Sequence, residues 1–514
     1  MTLWEYVSIR EDVFDGSLDD KLAPSLAEVV FKEAHEIYVD PEKFVSITYP
    51  TDTLKKLIKE VLNAFASKMG RVIILPSAFG GGKTHIMILL YHLLKNPALL
   101  SRILGDSAKT KQHVLEGAIV VAIDGTDKRT APSPIPGEAF EIDGVKIKTL
   151  WGYLAYKLGA YDKVRTYDER LISPESSTLL ELFAGKKALI LIDEIGLYYN
   201  RIARGPPELS NYADQVAMFL RMLTEAAGRK DVSVVVIISL PAEPTREGLR
   251  AEPGNETFID KIGREVARRG VTVEKPIATD EDFANILRRR LFSKIDEQRA
   301  ELISRNLKRA FVDYRDHLKD VSEEVKKYYP FHPLFITVLK EIVERNKDLQ
   351  RTRDALKIAR KVLRNLYSGV KELSLIMPTD IDLRVREIRT NIVTQSFMGF
   401  DVVVDKIISK AREIPVEGDV VQEVYRDLAY RVALYVFLRT YIYDPHLEPR
   451  SEFPSKAEVV TGVYDPDRCD QYLLSPVRIS ELLEKLTAGT VEYRVPHLYG
   501  RDGYYWVTRL LDIG

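Results

Sequence analysis

The sequence predicts an α/β protein: a three-layer core around a parallel sheet, then a helical lid, then a C-terminal winged-helix-like domain. Three observations predict it. An apolar run at 71–75 enters a turn holding Gly80, Gly81 and Gly82, and a helix opens on Lys83-Thr84. A second apolar run, 188–192, ends directly in Asp193-Glu194. From residue 280 the apolar spacing is helical, and strand-like runs return only near the C-terminus. Continuous apolar runs that alternate with amphipathic helices fit strands buried on both faces of a parallel sheet. The organisation read from this is 1–70, a helical segment leading into the core; 71–279, the α/β core; 280–372, the lid; and 373–514, the C-terminal domain.

In chain order, helices are expected at 25–38 and 51–69, the second capped by Thr51 and buried through Leu54, Leu57, Ile58, Val61, Leu62 and Phe65. The strand at 71–75 feeds a loop whose glycines allow backbone N–H groups to close around an anion at a helix N-terminus. Lys83 then reaches β- and γ-phosphates and the Thr84 hydroxyl holds Mg²⁺. The pattern G-x-x-x-x-G-K-[ST] carries one departure, because Ser77 stands at the first glycine position. A second strand, 118–123, ends at Asp124-Gly125-Thr126; a hairpin follows around Asp143-Gly144, then a helix from Thr149 to Leu158.

The third strand brings Asp193 to a carboxyl edge beside the loop, where it holds Mg²⁺ through water. Glu194 orients and deprotonates the attacking water. A helix at 214–227 precedes the fourth strand, 232–238, which ends at Ser239, a polar group placed to touch the γ-phosphate or that water. A simple strand cap is the competing reading of Ser239. Arg264, Arg268 and Arg269 close a helix at 258–269 before a fifth strand, 271–274, where a neighbouring subunit's arginine finger would lie. A solvated face is the plainer account of three arginines on a helix. The lid helix at 352–367 carries Arg353, Lys357, Arg360, Lys361 and Arg364. Most of these read as a solvated face, and Arg353, at the helix start, reads as the lid arginine for the γ-phosphate. In the C-terminal domain, helices at 419–443 and 478–487 precede strands at 491–496 and 504–508, with Arg494, Arg501 and Arg509 placed for a DNA backbone or for protein docking.

Composition narrows the class. Among 514 residues, 75 Lys and Arg face 76 Asp and Glu, so a nucleic-acid surface has to be a local patch. A single cysteine excludes an internal disulfide and a four-cysteine zinc site. No apolar run reaches bilayer-spanning length and the first residues lack a signal-peptide core, which predicts a cytoplasmic protein without membrane association.

Several peptides in order resemble one family. They are Thr48-Tyr49-Pro50-Thr51, Phe79-Gly80-Gly81-Gly82-Lys83-Thr84-His85, Tyr91-His92-Leu93, Thr149-Leu150-Trp151-Gly152, Ile192-Asp193-Glu194, Tyr329-Pro330-Phe331-His332-Pro333 and Arg351-Thr352-Arg353. The chain resembles AAA+ P-loop ATPases and, more narrowly, the family catalogued as domain of unknown function 499, whose loop often lacks the first glycine. The resemblance covers about residues 1–385. It implies binding and hydrolysis of ATP with Mg²⁺: Ser77, Phe79, Gly80, Gly81, Gly82, Lys83, Thr84, His85 and Asp193 around the nucleotide, Glu194 as base, Ser239 beside it, Arg264 or Arg268 acting in trans and Arg353 from the lid. ATP over GTP rests on this likeness, since no Asn-Lys-x-Asp motif stands in the expected place. The resemblance also implies anti-phage or restriction-type surroundings. The functional expectation is an ATPase, a homo-oligomer in the ATP state, that moves or remodels double-stranded DNA or a DNA-bound protein complex. The alternative is a slow nucleotide-dependent switch.

Overall fold

The computed structural model describes residues 3–76, 82–142, 144–245, 248–272, 279–369, 373–416, 420–469, 472 and 474–510. The chain divides into two compact units, Ala23–Ala278 and Met1–Leu22 with Thr279–Gly514.

The first unit is built on a five-stranded parallel sheet. Its strands are β1 (Arg71–Pro76), β2 (Ile119–Asp124), β3 (Lys187–Asp193), β4 (Ser233–Leu240) and β5 (Val271–Thr272), in the spatial order β5-β1-β4-β3-β2. Runs of Val, Ile and Leu form these strands because both faces are buried. Ile73, Leu75, Leu189, Leu191, Val235 and Ile237 pack with helices α1 (Asp52–Ser67) and α2 (Lys83–Lys95) on one side. Val72, Ile74, Val121, Ile123, Ile190 and Val236 pack on the other side, with α3 (Leu150–Lys157), α4 (Ile195–Ala203) and α5 (Pro207–Ala227). This is the three-layer α/β arrangement the alternation predicts. Thr51 caps α1, its hydroxyl accepting from Leu54 N at 3.2 Å, and Thr149 caps α3 through Gly152 N at 3.0 Å.

Several elements differ from expectation. The single helix expected at 25–38 is two short ones, Leu26–Val30 and Glu36–Val39, because Lys32 turns left-handed at φ 60°. The helix expected at 258–269 is broken: Ile259–Gly263 winds as a π-type turn before α6 (Arg264–Arg269). Residues 273 and 274 of the expected fifth strand lie outside the described residues.

In the second unit, residues 1–22 do not lead into the sheet as expected. Val7–Ile9 pairs antiparallel with Phe292–Ile295. The following acidic stretch lies along α7 (Arg351–Gly369), and it overturns the expected solvated face there. Arg360 is 1% exposed. Its Nε donates to Asp19 at 2.8 Å, Nη1 to Asp12 at 3.2 Å, and Nη2 to the carbonyls of Asp12 and Asp15 at 2.5 and 2.9 Å. Arg364 donates to Asp19 at 2.5 Å and to the Val13 carbonyl at 2.8 Å, and Lys357 to Asp20 at 2.6 Å. A guanidinium stays charged when buried, so it is retained only where carboxylates and carbonyls take its donors.

Towards the C-terminus, α8 (Gln422–Thr440) and α9 (Pro476–Ala488) support a hairpin, Leu498–Arg501 with Tyr504–Val507. Its two-residue turn is Asp502-Gly503, both left-handed at φ 55° and 82°. The strand expected at 491–496 is a turn instead, and pairing begins only after Pro496. Arg501 pairs with Glu448, and Arg509 with Asp444.

Replacing Arg360 by Ala takes one counter-charge each from the buried Asp12 and Asp19, leaving them Arg10 and Arg364, and removes the donor from the Asp12 and Asp15 carbonyls. We expect a loss of about 3–5 kcal/mol in the unfolding of this unit. Denaturant titration followed by Trp4, whose ring lies 5.4 Å from Tyr367 of α7, measures it. A loss under about 1 kcal/mol would show that the ionic seam is dispensable.

Candidate functional site

The carboxyl ends of β1, β4 and β3 lie side by side, with Leu75 opposite Ser239 and Ile238 opposite Ile192. The open end of a parallel sheet is where backbone groups and helix N-termini are left for a ligand. Here α2 begins. Gly82, at its N-cap, has φ 111°, a conformation that excludes side chains. Ser77, Phe79, Gly80 and Gly81 lie outside the described residues. Lys83 and Thr84 occupy the first two positions of α2, both partly buried.

Thr84 and Asp193 meet although 109 residues separate them: Thr84 Oγ1 donates to Asp193 Oδ2 at 2.7 Å. The other carboxylate oxygen, Oδ1, accepts from Ser239 Oγ at 2.6 Å and from Glu194 N at 3.0 Å. Ser239 Oγ also lies 3.1 Å from Glu194 N. Ser239 is therefore bonded to the acidic pair from a neighbouring strand. Asp193 is 1% and Ser239 3% exposed.

Glu194 follows β3 in the left-handed region, at φ 51° and ψ 29°, and is the N-cap of α4. A non-glycine residue there stores strain, of order 1–3 kcal/mol, and is held only by its surroundings. Two features hold it. One is the pair of bonds at its N–H. The other is Gly125: a Cβ at that position would stand 2.2 Å from the Glu194 carbonyl oxygen. Gly125 N donates to Asp193 O at 2.9 Å. Burial, then the Asp193 charge, raises the Glu194 carboxyl above the usual range, and Lys83 opposes them.

Asp124 is the acid that motif reading passed over. It lies in register with Asp193 on β2 and is 1% exposed. Its Oδ2 accepts from Ala27 N at 3.0 Å, and its Oδ1 from Thr126 N and Oγ1 at 3.0 and 2.6 Å. The signal was visible as a strand ending in Asp-Gly-Thr, but nothing local says that the strand adjoins β3.

His85, expected at the nucleotide, faces the segment before α1. Its Nε2 lies 2.9 Å from Thr48 Oγ1 and its ring 4.5 Å from the Phe44 ring. Arg264 and Arg268 are exposed on α6, Arg264 paired with Asp260 at 3.0 Å; nothing is described of the Arg269 side chain. Arg353 belongs to the other unit, where its Nη2 donates to Asp20 O at 2.8 Å.

A hydroxyl and a carboxylate that converge at a helix N-terminus, with an amine at the same turn, are a donor set suited to a magnesium phosphate. Mg²⁺ takes one or two protein oxygens and completes its shell with phosphate and water. Among the described residues no cluster of three or more His, Cys, Asp or Glu side chains offers another metal centre. No helix among them is long and apolar enough to cross a membrane.

Comparison with known proteins divides the chain between residues 273 and 278, and differs from the structural units only in the placement of Met1–Leu22. The family model for the DUF499 N-terminal domain matches residues 1–273, and that for the DUF499 second domain matches residues 278–507. No curated protein matches the chain. With matches that together span nearly all of its length, the chain belongs to the DUF499 family.

Proposed function

We propose that the protein binds ATP with Mg²⁺ at the carboxyl edge of the sheet and hydrolyses its β–γ bond. The observation that carries this reading is the meeting of Thr84, Asp193 and Ser239 beside a strained Glu194, at the N-terminus of a helix that opens on Lys83. Each group then has a task. The α2 N-terminus and Lys83 supply positive charge to β- and γ-phosphates. Thr84 and Asp193 would hold the metal, whose charge would neutralise that of the phosphates. Glu194 accepts a proton from water, and its raised affinity for protons suits that role near neutral pH. Ser239 keeps the Asp193 carboxylate and the Glu194 backbone in place. The direct Thr84–Asp193 hydrogen bond brings together the two residues that would hold the ion.

We extend the reading to a macromolecular partner, nucleic acid or a nucleoprotein complex, whose movement the turnover drives, with oligomerisation in the ATP state. The family resemblance supports it, together with the C-terminal hairpin. The slow switch remains the alternative outcome.

Lys83→Ala is expected to abolish the Mg²⁺-dependent part of ATP binding in equilibrium titration; tight Mg²⁺-dependent binding retained by that variant rejects the site. Glu194→Gln is expected to bind ATP as wild type does while turnover falls about 10²–10⁴-fold, the range for a lost general base. Gly125→Ala forces the Glu194 carbonyl away from a contact that no neighbour can yield. Steady-state turnover should drop at least tenfold, roughly 1.4 kcal/mol of barrier, with ATP affinity nearly unchanged. Unaltered turnover in Gly125→Ala would remove the left-handed Glu194 geometry from the reaction. Addition of double-stranded DNA to the wild-type assay separates the partner readings: stimulation favours the motor, indifference the switch.

A further inference from the structure

The second unit contains a cleft of about 1050 Å³ that the proposed ATP site does not use. Its lining includes five arginines, Arg384, Arg412, Arg426, Arg431 and Arg468, against two acids, Glu423 and Asp427. Three of the arginines are held by carboxylates. Arg431 donates to Asp427 at 2.7 Å and to Asp380 at 3.2 Å; Arg468 donates to Asp380 at 2.7 Å. Arg384 donates to Asp382 at 2.7 Å and Asp427 at 2.8 Å, with its guanidinium 4.2 Å above the Tyr430 ring. Asp380, the shared anchor, has a side chain only 1% exposed. These three form an ordered wall whose charges are met by Asp380 and Asp382 and by Asp427, which lines the cleft with them.

Arg412 and Arg426 differ. Among the described residues neither has a carboxylate partner. Arg426 donates to the Ile414 carbonyl at 3.3 Å and faces the Gln422 amide, whose oxygen accepts at 2.8 and 3.0 Å when turned toward it. Arg412 is exposed. Two guanidinium groups that have no counter-ion among the described residues, in the lining of an arginine-walled cleft, present forks that suit phosphate oxygens. Beside them Ile408, Ala411, Leu428 and Leu474 offer an apolar surface. The volume is well beyond that of an inorganic ion and falls at the upper end for organic-ligand pockets, about 300–1,000 Å³.

We infer that this cleft binds an organic phosphate: Arg412 and Arg426 hold the phosphoryl oxygens, and the body of the ligand lies against Ile408, Ala411, Leu428 and Leu474. The three buffered arginines pre-order the wall, so little side-chain entropy is lost on binding. This site lies wholly within the second unit, and the inference stands whether or not the sheet unit hydrolyses ATP.

The test uses the full chain carrying Lys83→Ala, which disables the phosphate loop, in about 0.15 M salt so that non-specific attraction is screened. Inorganic pyrophosphate and ADP are titrated by calorimetry. We expect one molecule of either probe per chain, with ADP the tighter because it adds an apolar body. Adding Arg412→Glu with Arg426→Glu should weaken both probes by roughly tenfold or more, with an unchanged circular dichroism spectrum. Ile408→Trp, which narrows the cleft without touching an arginine, should weaken ADP more than pyrophosphate and keeps the test decisive if the charge-reversed variant fails to fold. The inference falls if neither probe binds at millimolar concentration, if binding survives the double reversal unchanged, or if ADP binds no tighter than pyrophosphate.

Discussion

The Asp193 carboxylate is the interaction on which the candidate site depends. One oxygen takes the Thr84 hydroxyl, and the other takes the Ser239 hydroxyl and the Glu194 N–H. These bonds join the start of α2 to the ends of β3 and β4. A carboxylate that is 1% exposed pays heavily for desolvation unless its lone pairs are met, and here three donors meet them. The arrangement therefore resists rearrangement of any one strand end. In the order β5-β1-β4-β3-β2, Ser239 of β4 stands opposite Leu75 of β1 and bonds Asp193 at the end of β3.

Much of this was legible because its signals are local. The apolar runs of β1, β3 and β4, the capping threonine at 51, and the opening of α2 at Lys83 all follow from residues a few positions apart. The sequence placed Thr84, Asp193, Glu194 and Ser239 at strand or helix ends, and the structure brings these four together. What was not legible depends on pairs far apart in the chain. Nothing near Asp124 announces that it stands in register with Asp193, and nothing near Gly125 announces a carbonyl 2.2 Å from the Cβ it lacks. His85 reads as part of the loop signature, yet its ring is taken by Phe44 and Thr48.

The ionic seam along α7 shows the same limit for charge. Lys357, Arg360 and Arg364 read as part of a wet face, since lysine and arginine heads are rarely buried. Their partners, Asp12, Asp19 and Asp20, stand more than 330 positions away. The acidic stretch and the basic helix are each unremarkable alone; only their complementarity makes Arg360 a core residue. Burying it contributes specificity of docking as much as stability, because a shifted register would leave a guanidinium or a carboxylate unpaired.

Near-neutral net charge has the same origin, and it bears on the nucleic-acid reading. At the C-terminal hairpin Arg501 lies against Glu448 and Asp502, and Arg509 against Asp444. All these groups are substantially exposed, so each pair is worth at most about 1 kcal/mol and a phosphate backbone could displace the carboxylates at small cost. The acids do, however, cancel the field that would draw DNA from a distance. A duplex docking here would have to be recognised by contact and shape, with a shallow salt dependence, rather than gathered by a basic patch. Within the same unit the cleft lined by Arg412 and Arg426 differs from the hairpin: among the described residues these two have no carboxylate partner, so a phosphate there would have no acid to displace.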